Sequence, residues 1–541
     1  MYKRQLGYNA TCRSHAELQT KTLAHFNLDP YHYLSGPALS FDAMLKETGA
    51  RLEMLHDPEM YLFLSDNLRG GVTGTSTRYC CANNEYNGEG HNSHATHQHI
   101  MSWDANSLYG HAMTQPLPTG NFRWMTAEEL QNFDAQADLS NGCGYIVEVD
   151  LHYPRQLHDL HNQFPLAPER LDVPSENFSQ YVRRVAQCQG LRQQSSGSKL
   201  MTTLYDKQHY VIHHEHLRMC LAMGLQLTAV HGGLTFTEAP FMKSYIMLNT
   251  EARKSATSSF DVALYKSYNN YIFGHSCMNV FKQRDIRLVS SPKQFHKLAM
   301  KNEFKGCTVV SANLALVELA RSMVTLNKAI YVGFSVLELS KVHMYRFYYE
   351  YLVPMYQKRG LYLLFTDTDS FFVAISNQPG LYKHMQQNSQ WFDLSGYPET
   401  HFLHDASRKR DLGLFKDVHA NGRITEFIAL RSKMYAVKVV PWGEEEEEEE
   451  DLKAKGIHRS ALRDMTFESY RHALEHVEDV NKYNFNAIRS VRHHVQTTAS
   501  EKVGLSAYDD KRLYLNCGIH SMAYGHYRLS EQCMECTPNT G

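Results

Sequence analysis

The stretch Thr366-Asp367-Thr368-Asp369-Ser370 limits what this chain can become more than any other. Residues 361–365 are apolar and run into it, and Phe371-Phe372-Val373-Ala374-Ile375 run out of it. Two apolar runs around a tight acidic turn predict a β-hairpin. Asp367 and Asp369 are two residues apart, so near the turn both carboxylates can face the same space. Crowded carboxylates repel unless a cation lies between them. Hard divalent ions such as Mg²⁺ take oxygen ligands and keep substrate phosphates in their shell. Taken alone, the same residues also fit a polar turn with solvated acids.

A third carboxylate lies far upstream. Ile100-Met101-Ser102-Trp103 is a short apolar run ending at Asp104, after which Ala105-Asn106-Ser107-Leu108-Tyr109-Gly110 turns the chain. A strand-end carboxylate with backbone wrapped beside it can hold a metal through its side chain and a neighbouring carbonyl, here Ala105. Asp104 and Asp369 could then bridge two ions roughly 3.5–4 Å apart, the clamp used for in-line phosphoryl displacement. By itself Asp104 reads as a turn acid. Residues 261–274 predict a helix, with Ser259 or Asp261 as N-cap. Lys266, Asn270 and Phe273 fall at i, i+4 and i+7 and line one face. That face can offer an ammonium, an amide and an aromatic wall to a triphosphate; an amphipathic helix with an incidental lysine has the same spacing.

Together these segments resemble family B DNA polymerases. One palm motif of that family matches Asp104, Ser107, Leu108 and Tyr109. Its fingers motif, Lys-x-x-x-Asn-Ser-x-Tyr-Gly, matches Lys266, Asn270 and Gly274, with Tyr271 at the Ser position and Phe273 at the Tyr position. Its second palm motif matches Asp367, Thr368, Asp369 and Ser370, and a Lys-x-Tyr motif matches Lys433 and Tyr435, all in the family's order. Arg69-Gly70-Gly71 stands where protein-primed members carry Tyr-x-Gly-Gly, with Leu68 in place of the aromatic; Gly110 replaces a frequent Pro. Leu326-Asn327-Lys328-Ala329-Ile330-Tyr331-Val332-Gly333-Phe334, Leu339-Ser340-Lys341, Asn249-Thr250-Glu251-Ala252-Arg253, Lys453-Ala454-Lys455-Gly456 and Asp509-Asp510-Lys511-Arg512 look like the protein-primed enzymes of viruses and virus-like, self-synthesising transposons.

The resemblance implies an α/β (α+β) right-hand fold with a palm sheet, helical fingers, a thumb and two inserts. It divides the chain into a remnant exonuclease-to-palm junction (1–100), palm (101–120), an insert resembling the region that contacts the priming protein (121–205), palm (206–238), fingers (239–282), a second insert (283–325), palm (326–430), and thumb and tail (431–541). Asp104, Asp367 and Asp369 become the catalytic acids, with Asp104, Ala105 and Asp369 holding two Mg²⁺ ions, for which Mn²⁺ can substitute. Ser107, Leu108, Tyr109, Arg253, Lys254, Lys266, Asn270, Phe273 and Gly274 become the nucleotide site. Arg69, Gly70, Gly71, Thr368, Ser370, Lys433 and Tyr435 become DNA contacts. The implied partners are template and primer DNA, deoxynucleoside triphosphates and a priming terminal protein, without a membrane. The implied reaction is template-directed addition of deoxynucleotides to a 3′ hydroxyl. A degenerate polymerase kept as a nucleic-acid-binding protein stays open as the alternative, and an unrelated metal nuclease or phosphotransferase ranks below it.

An exonuclease of this family needs Asp-x-Glu on a strand. The upstream match, Asp57-Pro58-Glu59, has a proline that opposes an interior strand, so the exonuclease domain is expected to be absent. With 541 residues the chain can bury a large core in several lobes. Lys plus Arg total 55 against 57 Asp plus Glu, so any DNA groove must be a local basic patch. Residues 444–451 are all acidic and predict a solvated, disordered loop. His91, His94, His97 and His99 predict a solvated linker, and residues 193–198 a flexible loop. Eleven irregularly spaced cysteines predict free thiols in a reducing, intracellular setting, with the nucleus and a site of viral replication both open. Cys533 and Cys536 form a lone pair in the tail. Helices are expected from Ala239-Pro240 onward, carrying Arg253 and Lys254, and over residues 337–356.

Overall fold

The structure is a computed structural model that describes residues 8–87, 91–139, 141–191, 194–443, 447–480, 482–491 and 494–530. The hairpin at the acidic turn is present, Leu361–Asp367 pairing antiparallel with Ser370–Ser376. The second strand pairs along its full length with Gln98–Ala105, which sets Ser370 opposite Asp104. Thr73–Thr75, Phe415–Asp417 and Phe392–Asp393 complete six strands. Alternate side chains enter two cores. Met101, Trp103, Phe371, Val373 and Ile375 face one; Ile100, Phe372, Ala374 and Leu364 face the other. Burial on both faces is why these strands read as continuous apolar runs rather than alternating ones.

A long buried helix, Ile330–Tyr345, widens through Arg346–Leu352 and continues as Val353–Gly360. The wide turns end just before Pro354, which has no N–H for the regular ladder. The helix therefore starts earlier than the expected residue 337 and its second half is irregular. The two helices Lys243–Ser255 and Ser259–Ser276 pack together. The strand Gln226–Ala239 runs to Ala239, so the first of them begins later than expected. The N-cap of the second is Ser258, not Ser259 or Asp261; its Oγ accepts from the Asp261 N–H at 3.0 Å.

Residues before 100 do more than join. Tyr8–Phe26 and Gly36–Thr48 are helices packed on that helix pair. Thr22 bonds the Tyr268 hydroxyl (2.7 Å), His25 bonds Asn249 (3.0 Å), and Lys21 pairs with Asp261. Asp57 caps the helix Pro58–Ser65 and also accepts from the Trp124 indole N–H, so Asp57 and Glu59 sit at a helix start rather than on a strand.

Residues 121–205 carry strong core patterning, contrary to the expectation of a loose insert. Cys143–His152 lies between Gln226–Ala239 and Lys207–His213 in a four-stranded sheet edged by Leu117–Trp124. Farther on, Glu169–Leu171 pairs antiparallel with Lys199–Met201, and the helix Gln180–Cys188 between them places Tyr181, Val182 and Val185 in one core with Phe467, Tyr470 and Tyr514. In the loop expected to be flexible, Ser196 is buried and accepts from the Val173 N–H at 2.9 Å; Gln193 lies outside the described residues. Residues 285–319 build a separate three-stranded sheet. The expected boundary at 431 cuts through a hairpin, Gly422–Arg431 with Met434–Pro441, extended by Glu449–Ala454. Glu449, Glu450 and Asp451 are thus strand residues, where a disordered acidic loop was expected; residues 444–446 and Cys533 and Cys536 lie outside the described residues. Among the described residues, no helix is long and apolar enough to cross a membrane.

Candidate active site

The three acids converge because of register. Asp104 ends its strand opposite Ser370, and the Ala105 N–H donates to the Asp369 carbonyl at 2.7 Å, so the strand end is tied to the turn. Thr368 adopts a left-handed backbone (φ 68°) between the two turn acids, and its N–H donates to the Val72 carbonyl. A Cβ on Gly71 would lie 2.4 Å from Thr368 Cγ2, so the Gly-Gly step lets the chain pass under the turn. A Cβ on Gly110 would likewise lie 2.5 Å from Ser107 Oγ. Ser107 is itself left-handed (φ 50°), and that crowding accounts for glycine at a position where a bulkier residue was expected.

The acids differ in their partners. Both Asp367 oxygens accept from Lys433 Nζ, at 2.6 and 2.7 Å. Among the described residues Asp104 and Asp369 have no ion pair. Burial, then the neighbouring Asp369, pushes Asp104 up to about 7, against the pull of Lys266 and Lys416. Burial and Asp367 raise Asp369 as well. Lys416 was not foreseen. It lies opposite Asp104 on the strand Phe415–Asp417, and its stem crosses Gly396, where a Cβ would meet Lys416 Cε at 2.7 Å.

Lys266 and Asn270 are exposed, and the Lys266 ammonium favours the ionised form of both acids. Phe273 stacks on Tyr109 with centroids 4.4 Å apart and planes 19° apart, so the two motifs meet as a single aromatic wall. Leu108 is buried, and the space at Gly274 is open. Tyr271 lies off this face: a Cβ on Gly36 would touch its ring at 2.6 Å, so the departure at 271 belongs to the contact with the helix Gly36–Thr48.

Lys254 is held by Asp411 (2.8 Å) and Glu251 (2.9 Å) and so is not free for a triphosphate. Arg253 is half-buried with an unpartnered Nε, and burial and Arg410 lower its pKa. Arg69 is a clearer correction to the expected DNA contacts. It is 6% exposed, its guanidinium stacks 3.8 Å from the Tyr210 ring, and it donates to the Val211 carbonyl. Tyr435 is half-buried against Phe365 and Phe372, and burial raises its pKa. Of the loop histidines, His91 and His94 are exposed, as a solvated linker implies, while His97 and His99 depart from it and converge on Glu85.

A family model described as DNA polymerase type B, organellar and viral, matches residues 84–349. No curated protein matches the sequence. Among solved structures, Phi29 DNA polymerase complexed with primer-template DNA aligns with a TM-score of 0.54 at 14% identity, covering 90% of this chain and 70% of that one. An orthorhombic crystal form of Phi29 DNA polymerase aligns with a TM-score of 0.51 at 13% identity, covering 87% and 68%. At such identity the structural likeness is one of fold. Through the family match over residues 84–349 and the motif residues around the acidic turn, the chain is similar to the organellar and viral type B DNA polymerases.

Proposed function

We propose that the chain is a template-directed DNA polymerase that adds deoxynucleotides to a 3′ hydroxyl. The carrying observation is the meeting of two half-buried, unpaired acids, Asp104 and Asp369, with the Lys266 face and the Tyr109–Phe273 wall. A half-buried, oxygen-only donor set lacking a cation partner fits Mg²⁺. Asp104, Asp369 and the Ala105 carbonyl would hold the ions. When bound, they supply the charge that acidifies the primer hydroxyl and steadies the triphosphate and leaving pyrophosphate. Lys266 neutralises triphosphate charge, with Arg253 behind it. The ring of Tyr109, fixed by Phe273, lies under the sugar and excludes a 2′-hydroxyl. Lys433 orients Asp367 and, with Tyr435, holds the primer end. The test is primer extension with Mg²⁺: the purified chain should copy the template base by base. Binding of primer-template without extension would favour the degenerate, binding-only alternative.

Protein priming is the finer proposal. Its support is the pair of inserted units, residues 169–201 and 285–319, which have their own two-stranded and three-stranded sheets. Arg183 and Arg184 are exposed on the helix Gln180–Cys188, whose opposite face is buried. Charge reversal at both should reduce initiation on a priming protein more than extension of a DNA primer. Equal effects on both, or none, would remove this assignment.

A further inference from the structure

The strand that ends at Asp104 begins beside a second polar cluster, about 17 Å away at the rise of an extended chain. His97 and His99 are alternate residues on extended backbone, the Asn377 N–H donating to the His97 carbonyl, so both rings point to one side. Glu85 reaches the same side from the preceding turn. Its Oε1 accepts from the Gly380 N–H at 3.0 Å, while Oε2 lies 2.5 Å from His97 Nε2 and 3.7 Å from His99 Nε2. His99 is 2% exposed, and its Nε2 has no hydrogen-bond partner. The Gln378 main chain takes the hydrogen bond from the other ring nitrogen. Nδ1 therefore carries the proton, and Nε2 aims a bare lone pair at Glu85.

An unpartnered buried acceptor is costly in a stable fold. A histidine whose far nitrogen donates to a main-chain carbonyl is, by contrast, the usual support for metal ligation. We propose that Glu85, His97 and His99 bind one divalent transition-metal ion of the Zn²⁺ class, pinning the turn that carries Glu85 to the six-stranded sheet. Two imidazoles and a carboxylate leave a position for water in a tetrahedral set. The proton now shared by His97 and Glu85 leaves to solvent, and their contact opens to the roughly 3 Å spacing that ligands at about 2.0 Å from the ion require. Mg²⁺ prefers oxygen ligands alone, so ligand type separates this site from the acids at the other end of the strand.

The test uses the full chain stripped with chelator, titrated with Zn²⁺ against a chromogenic competitor and with Co²⁺ for its visible spectrum. Wild type and Asp369→Asn should each bind one equivalent, with a nitrogen-ligated Co²⁺ spectrum and a Zn²⁺-dependent rise in Tm. His97→Ala and Glu85→Gln lie on partly exposed positions and should fold without metal. Each should weaken binding by more than the ~10–100-fold of an outer-sphere loss and abolish the rise in Tm. Equal Zn²⁺ binding by wild type and both variants would overturn the site. So would binding that survives them but is lost in His214→Ala, since His213, His214 and Glu238 form a second convergent group.

Discussion

The acidic mouth and the network buried near it treat charge in opposite ways. Glu338 is 1% exposed and accepts from His216 (2.7 Å) and Lys341 (3.2 Å); Lys341 also donates to the Arg69 carbonyl (2.8 Å). Burial alone would raise the Glu338 carboxyl, yet Lys341, His216 and Arg69 hold it well below the usual range. Asp104 and Asp369 are half-buried but have no such partners, and both are raised. The charges of the network are paired in place; the two acids at the turn are left without a counter-charge. The network ties the long helix to the strand Lys207–His213 and to the segment that leads under the acidic turn.

That contrast can be broken at either end. The largest expected effect on folding is at the network. Glu338→Ala leaves Lys341 buried beside Arg69 without a counter-charge and should cost about 3–5 kcal/mol, read as a fall in Tm or denaturant midpoint. A variant as stable as wild type would show that the network is not paired as described. At the mouth, Lys266→Met should lower kcat/KM for nucleotide addition ~100-fold, about 3 kcal/mol at the transition state, with little change in Tm. A loss of stability without loss of rate would place Lys266 in the fold instead.

Tyr109→Val removes one half of the aromatic wall and should raise ribonucleotide use relative to deoxynucleotides at least ~10-fold. Lost polymerisation with unchanged sugar preference would make Tyr109 a packing residue. The smallest effect is a gain. An acid whose pKa is raised in the folded state favours folding below its unfolded value, near 3.8, and loses that contribution as pH rises through the folded value. For Asp104 the window runs from about 4 to about 7. In metal-free buffer Asp104→Asn should therefore stabilise the chain by ~1–2 kcal/mol at pH 8 and hardly at all near pH 4. Mg²⁺ should raise the Tm of wild type more than that of the variant. A destabilising Asp104→Asn at pH 8 would contradict the unpaired state of the mouth.

The parts legible in the sequence were those with local signatures. The acidic turn between apolar runs and the spacing of Lys266, Asn270 and Phe273 each fall within one element, so pattern alone locates them. Lys416 faces Asp104 only through strand register, which nothing in its neighbourhood encodes. Arg69 reads as a surface charge, and only the fold supplies the Tyr210 ring and Val211 carbonyl that bury it. Tyr145-Ile146-Val147-Glu148-Val149 carries a local strand signal, but its place between the palm segments points to an insert and hides its part in the sheet. The histidine loop looked solvated because the partner that organises it, Glu85, is on another turn.

The central claim is that Asp104 and Asp369 are kept unpaired to serve nucleotide addition. Single-turnover incorporation by wild type and Asp369→Asn, at matched DNA occupancy and saturating Mg²⁺, tests it most directly. An amide keeps the shape but is a poor ligand for a hard cation, so the rate should fall by at least ~1,000-fold while DNA affinity stays within ~3-fold. Incorporation at the wild-type rate would contradict the account.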